Sequence, residues 1–196
     1  MNQGRFRKFS VHLLFLCCLL LIPPLPLLAI DFSADVIVEP KGEEVTVGKV
    51  FVKGDKVRQE TVIEGESEVT IVRPDKQITW TISPRAKTYT ETPYQPEDKG
   101  FEEWNKEKAS RSKLVGEGTI SGIPCKKYED VQDGERIYYW VSGRLSFPLR
   151  VEDPDFNMEY RNIKEGPVDD SLFEIPAGYT RTAIPTPAGV EGTHGQ

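Results

Sequence analysis

Gln77-Ile-Thr-Trp-Thr-Ile-Ser83 alternates without a break: Ile78, Trp80 and Ile82 fall on one side of an extended chain, and Gln77, Thr79, Thr81 and Ser83 on the other. That period of two predicts a half-buried β-strand. Upstream, Val69 to Arg73 reaches it through Pro74-Asp75-Lys76, where proline presets the turn. Downstream, Pro84-Arg85-Ala86 leads into Lys87-Thr-Tyr-Thr90, and Pro93 and Pro96 close the run. Further back, Phe32, Ala34, Val36 and Val38 alternate, and Lys41-Gly42-Glu43 turns the chain into Val45 to Val52. In that run Val45 and Val47 share one phase and Val50 and Val52 the other, so Gly48 suggests a bulge. Lys53-Gly54-Asp55-Lys56 is a hairpin turn into Val57 to Ile63. The first half is a meander of about six antiparallel strands.

Glu97 to Lys113 breaks the pattern, being rich in charge, with Phe101, Trp104 and Lys108 near one helical face. It predicts one helix covering a face or edge of the sheet, with Phe101 and Trp104 as anchors. Strand character resumes at Leu114 to Ile120. Cys125 to Val131 and Arg136 to Ser142 flank Gln132-Asp-Gly-Glu135, and Leu145 to Val151 pairs with Asn157 to Ile163. Ile137, Tyr139 and Val141 oppose Tyr138, Trp140 and Ser142, so both faces of that strand carry aromatic surface. In Gly166 to Phe173, Asp169 or Asp170 is placed to accept turn amides while Leu172 and Phe173 anchor on the sheet.

The chain has 196 residues, with 25 Lys+Arg against 31 Asp+Glu and a net charge of -6. Arg5, Arg7 and Lys8 precede the apolar run Val11 to Ile22, which Pro23, Pro24 and Pro26 break before Ala29. This reads as a secretory signal over residues 1–29, with a retained membrane anchor as the alternative, and predicts a β domain over 30–181 and a flexible Pro/Gly-rich tail over 182–196. The mature chain carries 22 basic and 31 acidic side chains, which argues against a broad nucleic-acid surface. Cys17 and Cys18 leave with the signal, so Cys125 has no internal disulfide partner.

His12 lies in the signal and His194 in the tail, so the β domain has no histidine for a nucleophile–histidine triad or a histidine-rich metal centre. No phosphate-cradling loop or calcium-loop spacing is present, and Gly116-Glu117-Gly118 is only a fragment of a dinucleotide signature. No catalytic residue, cofactor or metal ligand is assigned. Carboxylate-dependent sugar hydrolysis survives only as a low-ranking alternative, since acidic neighbours such as Asp153/Asp155 are unspecific among so many.

Phe51-Val-Lys-Gly-Asp-Lys-Val-Arg58, Ile71-Val-Arg-Pro-Asp-Lys-Gln-Ile-Thr-Trp80 and Ser83-Pro-Arg-Ala-Lys-Thr-Tyr89 resemble the LolA-like lipoprotein-carrier superfamily, in particular an uncharacterised periplasmic branch. Ile123-Pro-Cys-Lys-Lys-Tyr128, Tyr139-Trp-Val-Ser142, Phe147-Pro-Leu-Arg150 and Asp170-Ser-Leu-Phe-Glu-Ile-Pro-Ala-Gly-Tyr179 extend the resemblance to about residues 31–181. It implies a mainly β fold, a strongly curved half-open antiparallel barrel with a covering helix. It also implies a periplasmic, non-enzymatic protein that shields an acyl chain of a lipid or lipidated envelope protein, or one that docks a membrane-associated partner as a sensor module without lipid. Trp80, Tyr89, Phe101, Trp104, Tyr139 and Trp140 are the candidate ligand-binding residues on their aromatic chemistry.

Overall fold

The computed structural model describes residues 31–63, 65–100, 104–145 and 147–183. The signal segment, Phe101 and tail residues 184–196 lie outside the described residues. Twelve strands form one sheet: β1 (Phe32–Pro40), β2 (Thr46–Lys53), β3 (Lys56–Ile63), β4 (Glu66–Arg73), β5 (Ile78–Ser83), β6 (Thr88–Pro93), β7 (Lys113–Ile120), β8 (Ile123–Gln132), β9 (Glu135–Ser142), β10 (Pro148–Glu152), β11 (Phe156–Glu165) and β12 (Thr180–Arg181). Their spatial order is β12-β6-β5-β4-β3-β2-β1-β11-β10-β9-β8-β7. Neighbours are antiparallel except β12, which lies parallel to β6. Two meanders, β1 to β6 and β7 to β11, are thus joined along the β1–β11 pair, and the sheet does not close.

The sheet curls. On a flat sheet β8 stands three strand spacings from β11, roughly 14 Å. Yet Ser121, in the turn between β7 and β8, donates its hydroxyl to the Tyr160 carbonyl of β11 at 2.9 Å. The loop after β9 folds into the same space: Phe147 stacks on Phe32 at 4.7 Å between centroids and meets Tyr160 edge-on at 5.4 Å. With Val50, Val52, Val57, Val72 and Leu149, these rings fill the centre.

The opposite face has its own cover. A 3₁₀ turn, Asp170–Phe173, is capped by Asp169, which accepts the Ser171 amide at 2.8 Å as the sequence predicts. It seats the fully buried Phe173 among Val69, Ile71, Trp80 and Ile82. Cations from the strands hold this segment: Lys53 donates to the Val168 carbonyl at 2.9 Å, Arg58 to Leu172 at 3.0 Å and Arg73 to Phe173 at 2.8 Å.

Two expectations are corrected. Gly48 is not a bulge, because β2 runs in unbroken register against β1. Gly48, Val50 and Val52 share the inner phase, and Gly48 is bare because a Cβ there would lie 2.6 Å from the Glu60 carbonyl oxygen. Nor do Glu97 to Lys113 form one covering helix. Pro96–Lys99 is a 3₁₀ turn ended by Gly100 at φ 67°, helix α1 spans only Lys106–Arg111, and β7 begins at Lys113. The backbone at two residues explains the difference. Gly100 in the left-handed region ends the first turn, and Asn105 in extended backbone caps a separate, shorter helix.

Candidate functional site

β6 and β7 are consecutive in the chain but stand near opposite ends of the sheet order, and the described parts of their connection, residues 94–100 and 104–112, lie as a strap on one face. Its first half is tied down by polar contacts. Thr79 donates its hydroxyl to Asp98 at 2.6 Å, and Gln59 donates to the Lys99 carbonyl at 2.5 Å. Its second half is held by rings. Asn105 caps α1 by accepting the Lys108 amide at 2.8 Å, and Trp104 packs on Tyr128 at 4.7 Å and Tyr139 at 5.6 Å between centroids.

Beside Trp104 opens a groove of about 550 Å³, walled by Trp104, Pro124, Tyr128 and Val141, with Glu117 and Lys126 also lining it. That volume lies within the usual range for small-molecule sites. Behind Trp104, Lys108 is buried with its ammonium 3.9 Å from the Tyr139 ring centre and 6.0 Å from that of Trp104. Burial pushes this amine down to about 8, partly offset by the Asp130 carboxylate. Gln132 bridges Asp130 and the Tyr139 hydroxyl at 3.1 and 3.3 Å.

The thiol nearest the groove is ill suited to nucleophilic chemistry. Cys125 is buried, its pKa is raised by that burial, and its sulfur lies 3.4 Å from the Ile123 carbonyl. Among the described residues no group of three or more His, Cys, Asp or Glu side chains is placed to hold a metal ion. What the groove offers is noncovalent: aromatic and aliphatic walls beside the Lys126 cation, which stands opposite the Glu117 carboxylate on the neighbouring strand.

The aromatic residues singled out from the sequence do not converge. Trp104 and Tyr139 pack on one another, and of the two Trp104 lines the groove. Trp80 and Tyr89 lie on the other face: Thr79 points at the strap, so its neighbour Trp80 points away, into the cluster under Phe173. There the Trp80 indole donates to Glu91 at 3.0 Å. Trp140 likewise opposes Tyr139, donating to Glu152 at 2.7 Å with Lys127 4.9 Å from its ring. Phe101 is outside the described residues. The strap side of β3 to β6 is instead a polar row, in which the Gln59 amide and the hydroxyls of Thr70, Thr81 and Thr90 stand opposite one another on successive strands.

Tyr128, Val141, Pro124 and Lys126 are groove residues that sequence reasoning missed. The signal was present for Tyr128. Asp133 and Gly134 both have positive φ, 52° and 88°, as a two-residue hairpin turn requires, and the register counted back from that turn sets Tyr128 opposite Tyr139.

No family model and no curated protein matches this sequence. Among solved structures, an uncharacterized conserved protein of Thermus thermophilus aligns at TM-score 0.57 and 14% identity, over 80% of this chain and 91% of its own. A chain of the Pseudomonas aeruginosa MucA/MucB complex aligns at TM-score 0.51 and 14% identity, over 74% of this chain and 56% of its own, so this chain spans little more than half of it. A LolA superfamily protein of Nitrosomonas europaea aligns at TM-score 0.37 and 9% identity, over 76% of this chain and 91% of its own. With the Thermus thermophilus and Pseudomonas aeruginosa structures, at these identities, what is shared is the fold alone, here one open and mostly antiparallel sheet.

Proposed function

We propose that the protein is an exported, non-enzymatic binding protein of the bacterial periplasm that holds an acyl chain of a lipid or lipidated polypeptide in the groove beside Trp104. The observation that supports this reading is the pairing of apolar walls, Trp104, Pro124, Tyr128 and Val141, with the Lys126 cation in one opening. That pairing suits an amphiphile. Each methylene taken out of water there contributes about 0.8 kcal/mol before ordering costs reduce the total. In this reading residues 1–29 direct export and are removed, and residues 182–196 extend from a self-sufficient β domain.

Native mass spectrometry of protein gently isolated from its host, paired with lipid extraction, tests occupancy. An acyl-bearing ligand is expected, and Trp104→Ala should weaken an acyl probe at least tenfold, about 1.4 kcal/mol. Trp80→Ala, on the other face, should leave that affinity unchanged. No acyl ligand and no saturable binding to host lipids or lipidated peptides would favour the second reading, docking of an envelope protein without lipid. Two observations favour that second reading: the centre is filled by Phe32, Phe147 and Tyr160, and half of the strap face is polar. A MucA/MucB complex chain among the fold's neighbours is consistent with it.

A further inference from the structure

The second end of the sheet carries a feature that acyl binding does not use. Strand β7 ends the sheet order, and among the described residues nothing pairs with its outer edge. At the other end, β12 pairs with β6 at Thr88 and Tyr89. Edge strands are ordinarily blunted by bulk, charge or cover, because free amides and carbonyls template a further strand. Here the defences are slight. A register shift between Leu114 and Gly116 disturbs only the start of the strand, and Gly116 to Ile120 then runs in regular register against Lys127 to Ile123. Leu114 and Val115 are 49% and 41% exposed, and Gly116 and Gly118 present no side chains at all.

The charge around this edge runs against that of the molecule. From Trp104 to Gln132, the stretch that holds α1, β7 and its partner β8, there are six basic side chains and four acidic ones, in a chain of net charge -6. Lys127 is held by Glu152 at 2.7 Å, and Arg111 lies 3.5 Å from Asp130. Lys106, Lys113 and Lys126 are exposed, Lys113 standing opposite Glu129 and Lys126 opposite Glu117 across the β7–β8 pair. Two copies of this chain joined edge to edge would set like charge against like charge, whereas an acidic chain would be drawn in.

We propose that the free edge of β7 is a strand-addition site for an extended, acidic segment of a partner polypeptide. Only another backbone carries the alternating donors and acceptors that a strand edge demands, which selects a polypeptide over a lipid. Glu117 and Gly118 of β7 also line the groove beside Trp104, so alternate side chains of the added strand would project over that groove. The site stands independently of the acyl reading.

The test uses the whole chain with synthetic ten-residue peptides in which Glu alternates with Val or Thr, read by residue-resolved amide hydrogen exchange. Saturable binding is expected, with exchange of outward-facing β7 amides slowed at least tenfold. Lys113→Glu with Lys126→Glu should weaken binding at least tenfold, as should raised salt. A peptide N-methylated on alternate residues should not bind. Absence of binding across the peptide set, protection only away from β7, equal binding by the N-methylated or a Lys-for-Glu peptide, or a concentration-dependent dimer that protects β7 would each overturn the proposal. Trp104→Ala separates it from the acyl reading, since that variant should lose the acyl probe and keep the protection of β7 by peptide.

Discussion

Lys108 lies with its ammonium 3.9 Å from the centre of the Tyr139 ring, and only 2% of the residue reaches solvent. The amine sits on rings rather than in water, so its folded pKa is lowered to about 8 from an unfolded value near 10.5. Between those values the unfolded chain binds the proton and the folded chain does not, so stability rises with pH in that window. Denaturant titrations of the parent and Lys108→Met at pH 7 and pH 10 should therefore show the parent gaining about 2 kcal/mol on the variant. An equal difference at both pH values would mean that Lys108 keeps its proton in the folded state.

Asp170 gives the opposite sign. Lys53 and Lys56 hold its carboxylate at 2.8 and 2.9 Å and depress its pKa to about 2 from 3.8. Its contribution is present above the unfolded value and is lost as pH falls from about 4 through 2. Hydrogen exchange of residues 168–174 should accelerate over that interval, and Asp170→Asn should flatten the response.

Phe173→Ala removes the anchor of the same segment. A fully buried ring lost from the cluster around Ile71, Trp80 and Ile82 should cost about 3 to 5 kcal/mol in urea denaturation. Trp80 should become more accessible to a collisional quencher, while Trp104, on the other face, should not.

Two glycines on one strand should respond differently. A Cβ at Gly118 would stand 2.7 Å from the Trp140 ring, which Glu152 holds in place, so Gly118→Ala should cost about 1 to 3 kcal/mol. At Gly116 the nearest atom would be 3.9 Å away, so Gly116→Ala should fall within about 0.5 kcal/mol of the parent. Thermal unfolding of the two variants side by side is sufficient.

Strand phase was legible and partner identity was not. The alternation of Ile78, Trp80 and Ile82 gave a correct half-buried strand, but alternation alone does not say which later segment covers the apolar side. Phe173, nearly a hundred residues on, supplies that cover, and Trp80 therefore sits away from the groove. The strap misled for a related reason. Phe101, Trp104 and Lys108 have helical spacing, but Gly100 and Asn105, which break the helix between them, carry no apolar periodicity and were passed over. Asp169 was read correctly because a cap depends only on its neighbours.

The β1–β11 seam also has a meaning in time. Asn162 of β11 donates to Asp35 of β1 at 2.7 Å across 127 residues of chain. As the chain emerges N-terminus first, β1 finds β2 at once, but its other margin stays bare until β11 arrives. Through that interval the nascent half-sheet exposes Phe32, Ala34, Val50 and Val52 without the Phe147 and Tyr160 rings that later bury them. Such a delay, set by topology alone, makes the first meander the stage at which the molecule depends most on a holding chaperone and is most open to misassembly.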